Sequence, residues 1–176
     1  MASNKMTTMN WHKYFIPDYE AGTLTWRIRD DMPTEMAGKT WNTRFSGKLA
    51  GWLSDRGYWT IGIGARKYRA HRIIWEMANG PILDGLQIDH IDRNRSNNRL
   101  SNLRLATGSE NHRNGNIPSN NTSGVRGVSY DNATSKWRAD IRHGGRTIYL
   151  GIFATIEDAA VCRQAAEAKY HGDFAP

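Results

Sequence analysis

The sequence predicts an α+β protein made of two modules. Three observations lead there: short β-prone runs broken by glycines in the first half, a polar asparagine-rich middle, and three alternating strands followed by one long helix at the end. A length of 176 residues suits one ordinary domain or two small ones. The expected division is a first module over residues 1–114, a linker over 115–122 and a second module over 123–176.

Residues 24–72 read as short strands separated by glycine turns. Leu24-Thr-Trp-Arg-Ile28 is β-prone, and the runs 57–63 and 65–69 form an expected hairpin through Gly64. Six of the seven tryptophans precede residue 76, so this region should be a compact aromatic-rich sheet, with the tryptophans assigned to core packing rather than to base stacking. Residues 70–79 are helical in composition, and Gly80-Pro81 stops the helix.

The middle segment, residues 82–114, predicts a strand at 86–91, a loop through Asn97-Asn98, a second strand at 103–106 and then a helix. Thr107-Gly-Ser-Glu110 fits the T-x-x-E capping pattern, in which threonine and glutamate side chains satisfy each other's exposed amides. Asn111 then sits about one turn inside a rigid element. Residues 115–123 (GNIPSNNTS) have no periodicity and read as the linker. Beyond it come strands at 126–130, 136–142 and 146–152, with His143-Gly-Gly145 as a hairpin turn. A helix over 155–171 follows, capped by Thr155, and Ala159, Cys162, Ala166 and Tyr170 make one small apolar stripe suited to lie on the sheet.

Composition bounds the partners. With a formal charge of +7 and a pI near 9.8, the chain carries the electrostatic footprint of a nucleic-acid binder. The excess lies early: residues 1–83 hold 12 Lys or Arg against 7 Asp or Glu. No apolar run approaches the roughly 18 residues of a membrane span, and MASNKMTTMN lacks a secretory apolar core. Cys162 stands alone, with no partner for a disulfide and no C-x-x-C pair for zinc. The expectation is a cytoplasmic protein whose metal, if it has one, is held by oxygen and nitrogen.

The densest polar cluster is Ile88-Asp-His-Ile91, then Asn98-Arg99, Asn102-Leu-Arg104 and Glu110-Asn-His112. Phosphodiester hydrolysis needs a base to deprotonate water and a cation to stabilise negative charge on the phosphate and the leaving oxygen. Imidazole suits the first task, and a carboxylate with an amide oxygen suits a hard divalent ion. Asp89, His90 and Asn111 supply that inventory. Neighbours on a regular strand face opposite sides, so Asp89 and His90 can share a site only where the strand ends or twists.

The pattern D-H-I-D, with Asn102 in an N-L-R context and Asn111 beyond it, resembles the HNH endonuclease family. It is most similar to the asparagine-rich H-N-N branch of phage and intron homing endonucleases. The lead-in segments L-T-W-R and H-R-I-I-W extend the resemblance over roughly residues 11–114. It implies a ββα-metal fold in which His90 is the general base and Asp89 and Asn111 bind one Mg²⁺ or Mn²⁺. Asn102 would brace the loop and orient His90. Asparagine in the final position, in place of histidine, points away from zinc. Asn114 is the alternative ligand on the same helical face, and His112 is a phosphate contact or a solvated residue. His71 reads as a core or helix-start histidine ahead of a catalytic one, with its place before the motif leaving the second reading open.

On residues 136–142, Trp137, Ala139 and Ile141 face one side and Lys136, Arg138, Asp140 and Arg142 the other, with Tyr149 joining that polar face from the next strand. S-G-V-R-G-V, K-W-R-A-D-I-R, Y-L-G-I-F and T-I-E-D-A-A resemble the AP2 DNA-binding domain, in which a three-stranded sheet backed by one helix enters the major groove. Arg126, Lys136, Arg142 and Tyr149 match its DNA-contacting positions, and Arg138 and Arg146 are added as phosphate contacts by geometry. Ser129 and Asp131 replace arginines of the plant members, so the plant recognition sequence does not transfer. The combined expectation is a homing-type HNH nuclease that nicks duplex DNA, acting as a monomer or weak homodimer without an obligatory protein partner. Its rival is a DNA-binding regulator with an inactive nuclease half.

Overall fold

The computed structural model describes residues 9–115, 117 and 120–174. Contacts divide the chain into two compact units, Met1–Thr107 and Gly108–Pro176. Residues 108–114, expected with the first module, therefore group with the second. The expected linker at 115–122 lies partly outside the described residues, at Asn116, Pro118 and Ser119.

In the first unit, β1 (Phe15–Asp18) and β2 (Thr23–Trp26) form an antiparallel hairpin. Helix α1 (Glu35–Phe45) follows, capped by the Thr34 hydroxyl, which accepts from the Ala37 amide at 3.1 Å. Sequence reasoning missed this helix because it has no apolar stripe. Only Gly38 is buried on it, while Trp41 and Phe45 pack on Trp26. Next come β3 (Trp52–Leu53), β4 (Trp59–Ile63) and β5 (Arg66–Arg69), a meander in the order β3-β4-β5 with the expected turn at Gly64.

Helix α2 (Ala70–Asn79) occupies the predicted span and ends at Gly80, whose φ is 85°. Its Ile73 and Ile74 reach the centre of a core that also buries Phe15, Leu24 and Ile61. Trp11 and Trp26 belong to that core, whereas Trp52 is an exception at 45% exposure, with the Lys67 ammonium over its ring. Strands β6 (Leu86–His90) and β7 (Leu103–Thr107) close the unit as an antiparallel pair, with Asp89 opposite Arg104 and His90 opposite Leu103.

In the second unit, α3 (Gly108–Arg113) starts at the residue after Thr107, where the capping pattern places it. Strands β8 (Val128–Asp131), β9 (Lys136–His143) and β10 (Arg146–Phe153) form one antiparallel sheet with β9 central, and α4 (Ile156–His171) packs on it. Val128, Ala139 and Ala159 form the buried centre, with Trp137, Leu150, Phe153 and Ile156 around them. Thr155 caps α4 by accepting from the Asp158 amide at 3.2 Å. The apolar stripe needs correcting. Ala159 and Ala166 are buried, but Cys162 and Tyr170 are only half-buried, and the charged pair Arg163 and Glu167 shares the buried face. Their opposite charges, 3.0 Å apart and one helical turn from each other, make that burial tolerable. No helix among the described residues is long and apolar enough to cross a membrane.

Candidate functional site

The end of β6 carries the first unit's densest group of buried polar side chains. Asp89 and His90 are each 5% exposed, although they are neighbours on one strand. Register partners share a face, and Asp89 lies on the face of Arg104. The Arg104 Nε and Nη2 groups both donate to Asp89 Oδ2 at 2.8 Å.

His90 is the last residue of β6 and meets a different set of neighbours. Its Nε2 lies 3.1 Å from Oδ1 of Asn98, which is 2% exposed. An amide oxygen only accepts, so this contact places the imidazole proton on Nε2 and makes Nδ1 the basic nitrogen. The ring of His71 stands edge-on at 4.9 Å, and Tyr58 lies 5.5 Å from His71 and 6.3 Å from His90. His71 is 7% exposed, and its buried Nδ1 has no hydrogen-bond partner among the described residues. Burial, reinforced by His90, Arg72 and Arg69, pushes its pKa down to about 3, so this imidazole is neutral at physiological pH.

The loop from residue 91 to 102 is tied internally. The Asn102 side chain accepts from the Asp92 amide at 3.0 Å and donates to Asp92 Oδ1 at 2.9 Å and to the Asn97 carbonyl at 2.8 Å. Burial opposes ionisation of Asp92, but hydrogen bonds from Asn97, Asn102 and the Asn94 amide outweigh it, and the carboxyl titrates below its usual range. From outside, the β1–β2 turn presses on the same loop. The Leu100 amide donates to the Tyr19 carbonyl at 3.0 Å, and a Cβ added at Gly22 would lie 2.3 Å from the Arg99 nitrogen. Gly22 holds φ at 70°, so the turn needs glycine both for its backbone conformation and for this approach.

Of the sequence-predicted residues, Asp89, His90 and Asn102 lie in this unit, on β6 and on the loop before β7. Asn111 lies on α3 in the second unit, half-buried, and Asn114 just beyond that helix is 4% exposed. Asn98 stands in the polar cluster of the sequence and His71 ahead of it, but neither was assigned a role in the site. Asn98 was hidden because its partner is brought to it by a loop closure that the sequence does not display.

Among the described residues, no three His, Cys, Asp or Glu side chains gather into a metal cage. The donors present suit a different mode. Asp89, a buried carboxylate held by Arg104, is an oxygen donor of the kind taken by a hard divalent ion that draws most of its shell from water and phosphate oxygens.

The second unit presents the expected polar strand face. Lys136, Arg138 and Arg142 are exposed on β9, and Arg146 is exposed at the start of β10. Arg138 pairs with Asp140 at 2.8 Å and lies over the ring of Tyr149, itself 54% exposed, at 5.3 Å. Arg126 is used differently. Its guanidinium donates to the carbonyls of His112 and Gly115, at the end of α3.

Residues 68–113 match the family model described as HNH endonuclease. Protein 3.8 of Escherichia phage T7 is 46% identical over 78 residues, 44% of this chain and 64% of its own length. The uncharacterized HNH endonuclease L560 of Acanthamoeba polyphaga mimivirus is 32% identical over 125 residues, 70% of this chain and 64% of its own length. This chain thus spans somewhat under two thirds of each relative. A solved structure described as DNA binding and cleavage by the HNH homing endonuclease I-HmuI shows a partial likeness. It covers 57% of this chain and 51% of the other, at 24% identity and a TM-score of 0.42.

Proposed function

We propose that this chain, which carries an HNH endonuclease family domain at residues 68–113, is a divalent-metal-dependent DNA endonuclease that nicks one strand of duplex DNA. The observation that carries the reading is His90, buried at the end of β6 with its Nε2 held by Asn98. In this role His90 takes the proton of the attacking water at Nδ1, and the fixed Nε2 contact keeps the ring from turning away. The family resemblance assigns the ion to Asp89, whose carboxylate Arg104 holds, and to Asn111. When bound, a Mg²⁺ or Mn²⁺ ion supplies charge stabilisation for the phosphate and the leaving oxygen. Asn102 braces the loop that carries Asn98, through Asp92 and the Asn97 carbonyl.

The AP2-like sheet of the second unit is the proposed DNA-positioning surface, through Lys136, Arg138, Arg142, Arg146 and Tyr149, with Arg126 at its margin. Exposed arginines beside an aromatic ring suit phosphate contacts and groove edges. With one catalytic histidine per chain, a monomer cuts a single strand.

A supercoiled-plasmid assay with purified chain tests the proposal. Nicking is expected with Mg²⁺ or Mn²⁺, to vanish in EDTA, and to fall by about 10²–10⁴-fold in His90→Ala. Full activity in His90→Ala would overturn the assignment of the base. DNA binding without any metal-dependent nicking would establish a DNA-binding regulator instead.

A further inference from the structure

The second unit contains a cavity of about 450 Å³ on the side of the sheet covered by α4, lined by Arg113, Arg126, Gly127, Arg163, Glu167 and His171 among others. We propose that this cavity binds a phosphate group with at most one ester bond, either free hydrogen phosphate or the terminal phosphate of a DNA strand. No sequence motif pointed to it; Arg126 and Arg142, two of the proposed DNA contacts, also line it, whereas Lys136, Arg138, Arg146 and Tyr149 do not.

Charge is the first argument. Among the described residues, Arg113, Arg126, Arg142 and Arg163 line the cavity, together with the Glu167 carboxylate that pairs with Arg163. Asp140 also lines it, but its carboxylate is bound to Arg138 at 2.8 Å. Glu110 lies 3.9 Å from Arg113, a loose contact. The surplus is cationic and partly buried, an arrangement that favours an anion.

Unmet hydrogen bonding is the second argument. The Arg163 side chain is 5% exposed, and its buried Nε has no partner among the described residues. The buried Nε of Arg113 is in the same condition. Arg163 reaches this place only because residue 127 is glycine: a Cβ there would lie 2.5 Å from Arg163 Nε. Burial lowers the affinity of Arg163 for its proton, and nearby Arg126 adds to the effect while Glu167 opposes it. A bound oxyanion would relieve both burdens.

His171 refines the ligand. Its Nε2 donates to the Arg142 carbonyl at 3.0 Å, so Nδ1, buried and without a partner among the described residues, presents a lone pair. Hydrogen phosphate carries the O–H that such an acceptor takes, together with oxygens for the guanidiniums. Sulfate and a phosphodiester carry no O–H at neutral pH.

Thermal denaturation of the full chain, titrated with inorganic phosphate at constant ionic strength, tests the site. The midpoint should rise saturably, and the phosphate dependence should be about tenfold weaker in Arg113→Gln. Sulfate should be weaker than phosphate, with the difference lost in His171→Phe. Arg113→Gln keeps the buried Arg163–Glu167 pair, and Gly127→Ala supplies a second variant that closes the cradle from the other side. No saturable rise in the wild type, or an equal rise in Arg113→Gln, would overturn the proposal. Equal effects of sulfate and phosphate would remove the role of His171. Competition between phosphate and duplexes ending in 5′-phosphate or 5′-hydroxyl separates the sources. Displacement by the phosphorylated end alone identifies DNA termini, and displacement by neither identifies the free anion.

Discussion

The ring of His71 stands edge-on to that of His90, with centroids 4.9 Å apart and planes at 80°. A ring placed this way supports its neighbour only while it stays neutral, because two adjacent imidazolium ions repel. The fold enforces that neutrality by burying His71 among Tyr58, His90 and the helix α2 core.

The stability of the first unit should therefore depend on pH. His71 has a pKa near 3 in the folded chain, against about 6.5 in the unfolded chain. Between these values the unfolded chain binds the extra proton. The contribution is complete above pH 6.5 and is lost as pH falls towards 3. From pH 7 to pH 5 the loss should be about 2 kcal/mol. Urea denaturation of the wild type and His71→Phe at both pH values checks this. Equal pH slopes in the two proteins would exclude a buried neutral His71.

Replacing Asn98 should damage catalysis through His90. Asn98→Leu keeps the volume but removes the acceptor at Nε2. The expected result is a fall in kcat of about tenfold or more with KM little changed, and Asn98→Gln should not rescue it fully. A variant that changes KM alone would show that Asn98 serves DNA binding instead.

Gly22→Ala probes the brace between the N-terminal hairpin and the Asn98 loop. The new Cβ would meet the Arg99 nitrogen at 2.3 Å and the Asn98 carbonyl carbon at 2.4 Å, at a residue with φ of 70°. The positive φ and the backbone clash together should cost about 2–4 kcal/mol. Urea denaturation measures the loss. A change under about 0.5 kcal/mol would show that the turn and the loop are not coupled.

Removing Arg104 should leave the Asp89 carboxylate, 5% exposed, without its guanidinium. Arg104→Met is expected to destabilise by about 3–5 kcal/mol, and Asp89→Asn added to it should recover most of that loss. A double-mutant cycle by denaturation measures the coupling. Additive effects would show that the pair contributes little.

For the sheet face, Arg142→Ala should weaken duplex binding and lower the slope of log K against log salt by about 1. Cleavage of DNA already bound should be unaffected. Binding measured across a salt series with an unchanged slope would remove Arg142 from the contact.

The elements legible in the sequence were those with strong local signals. Helix α2 announced itself through its composition and the Gly80-Pro81 stop, and β9 through the alternation from Lys136 to Arg142. Helix α1 lacked any periodic stripe, because its anchor is the aromatic packing of Trp41 and Phe45 on Trp26. Nothing in the sequence singled out Arg163 and Glu167, which α4 turns inward as a buried pair.

By itself, the sequence determined the candidate chemistry: a D-H dipeptide at a strand end, asparagines in the loop and helix beyond it, and a basic strand face. These are questions of residue type and spacing along the chain. Tertiary structure decided which partners set the state of each group. Asn98 reaches His90, His71 stacks against it, Gly22 admits the loop, and Arg163 lies buried beneath Gly127. The reason is physical: burial and hydrogen-bond partnership depend on distances between residues far apart in the chain, and local spacing carries no record of them.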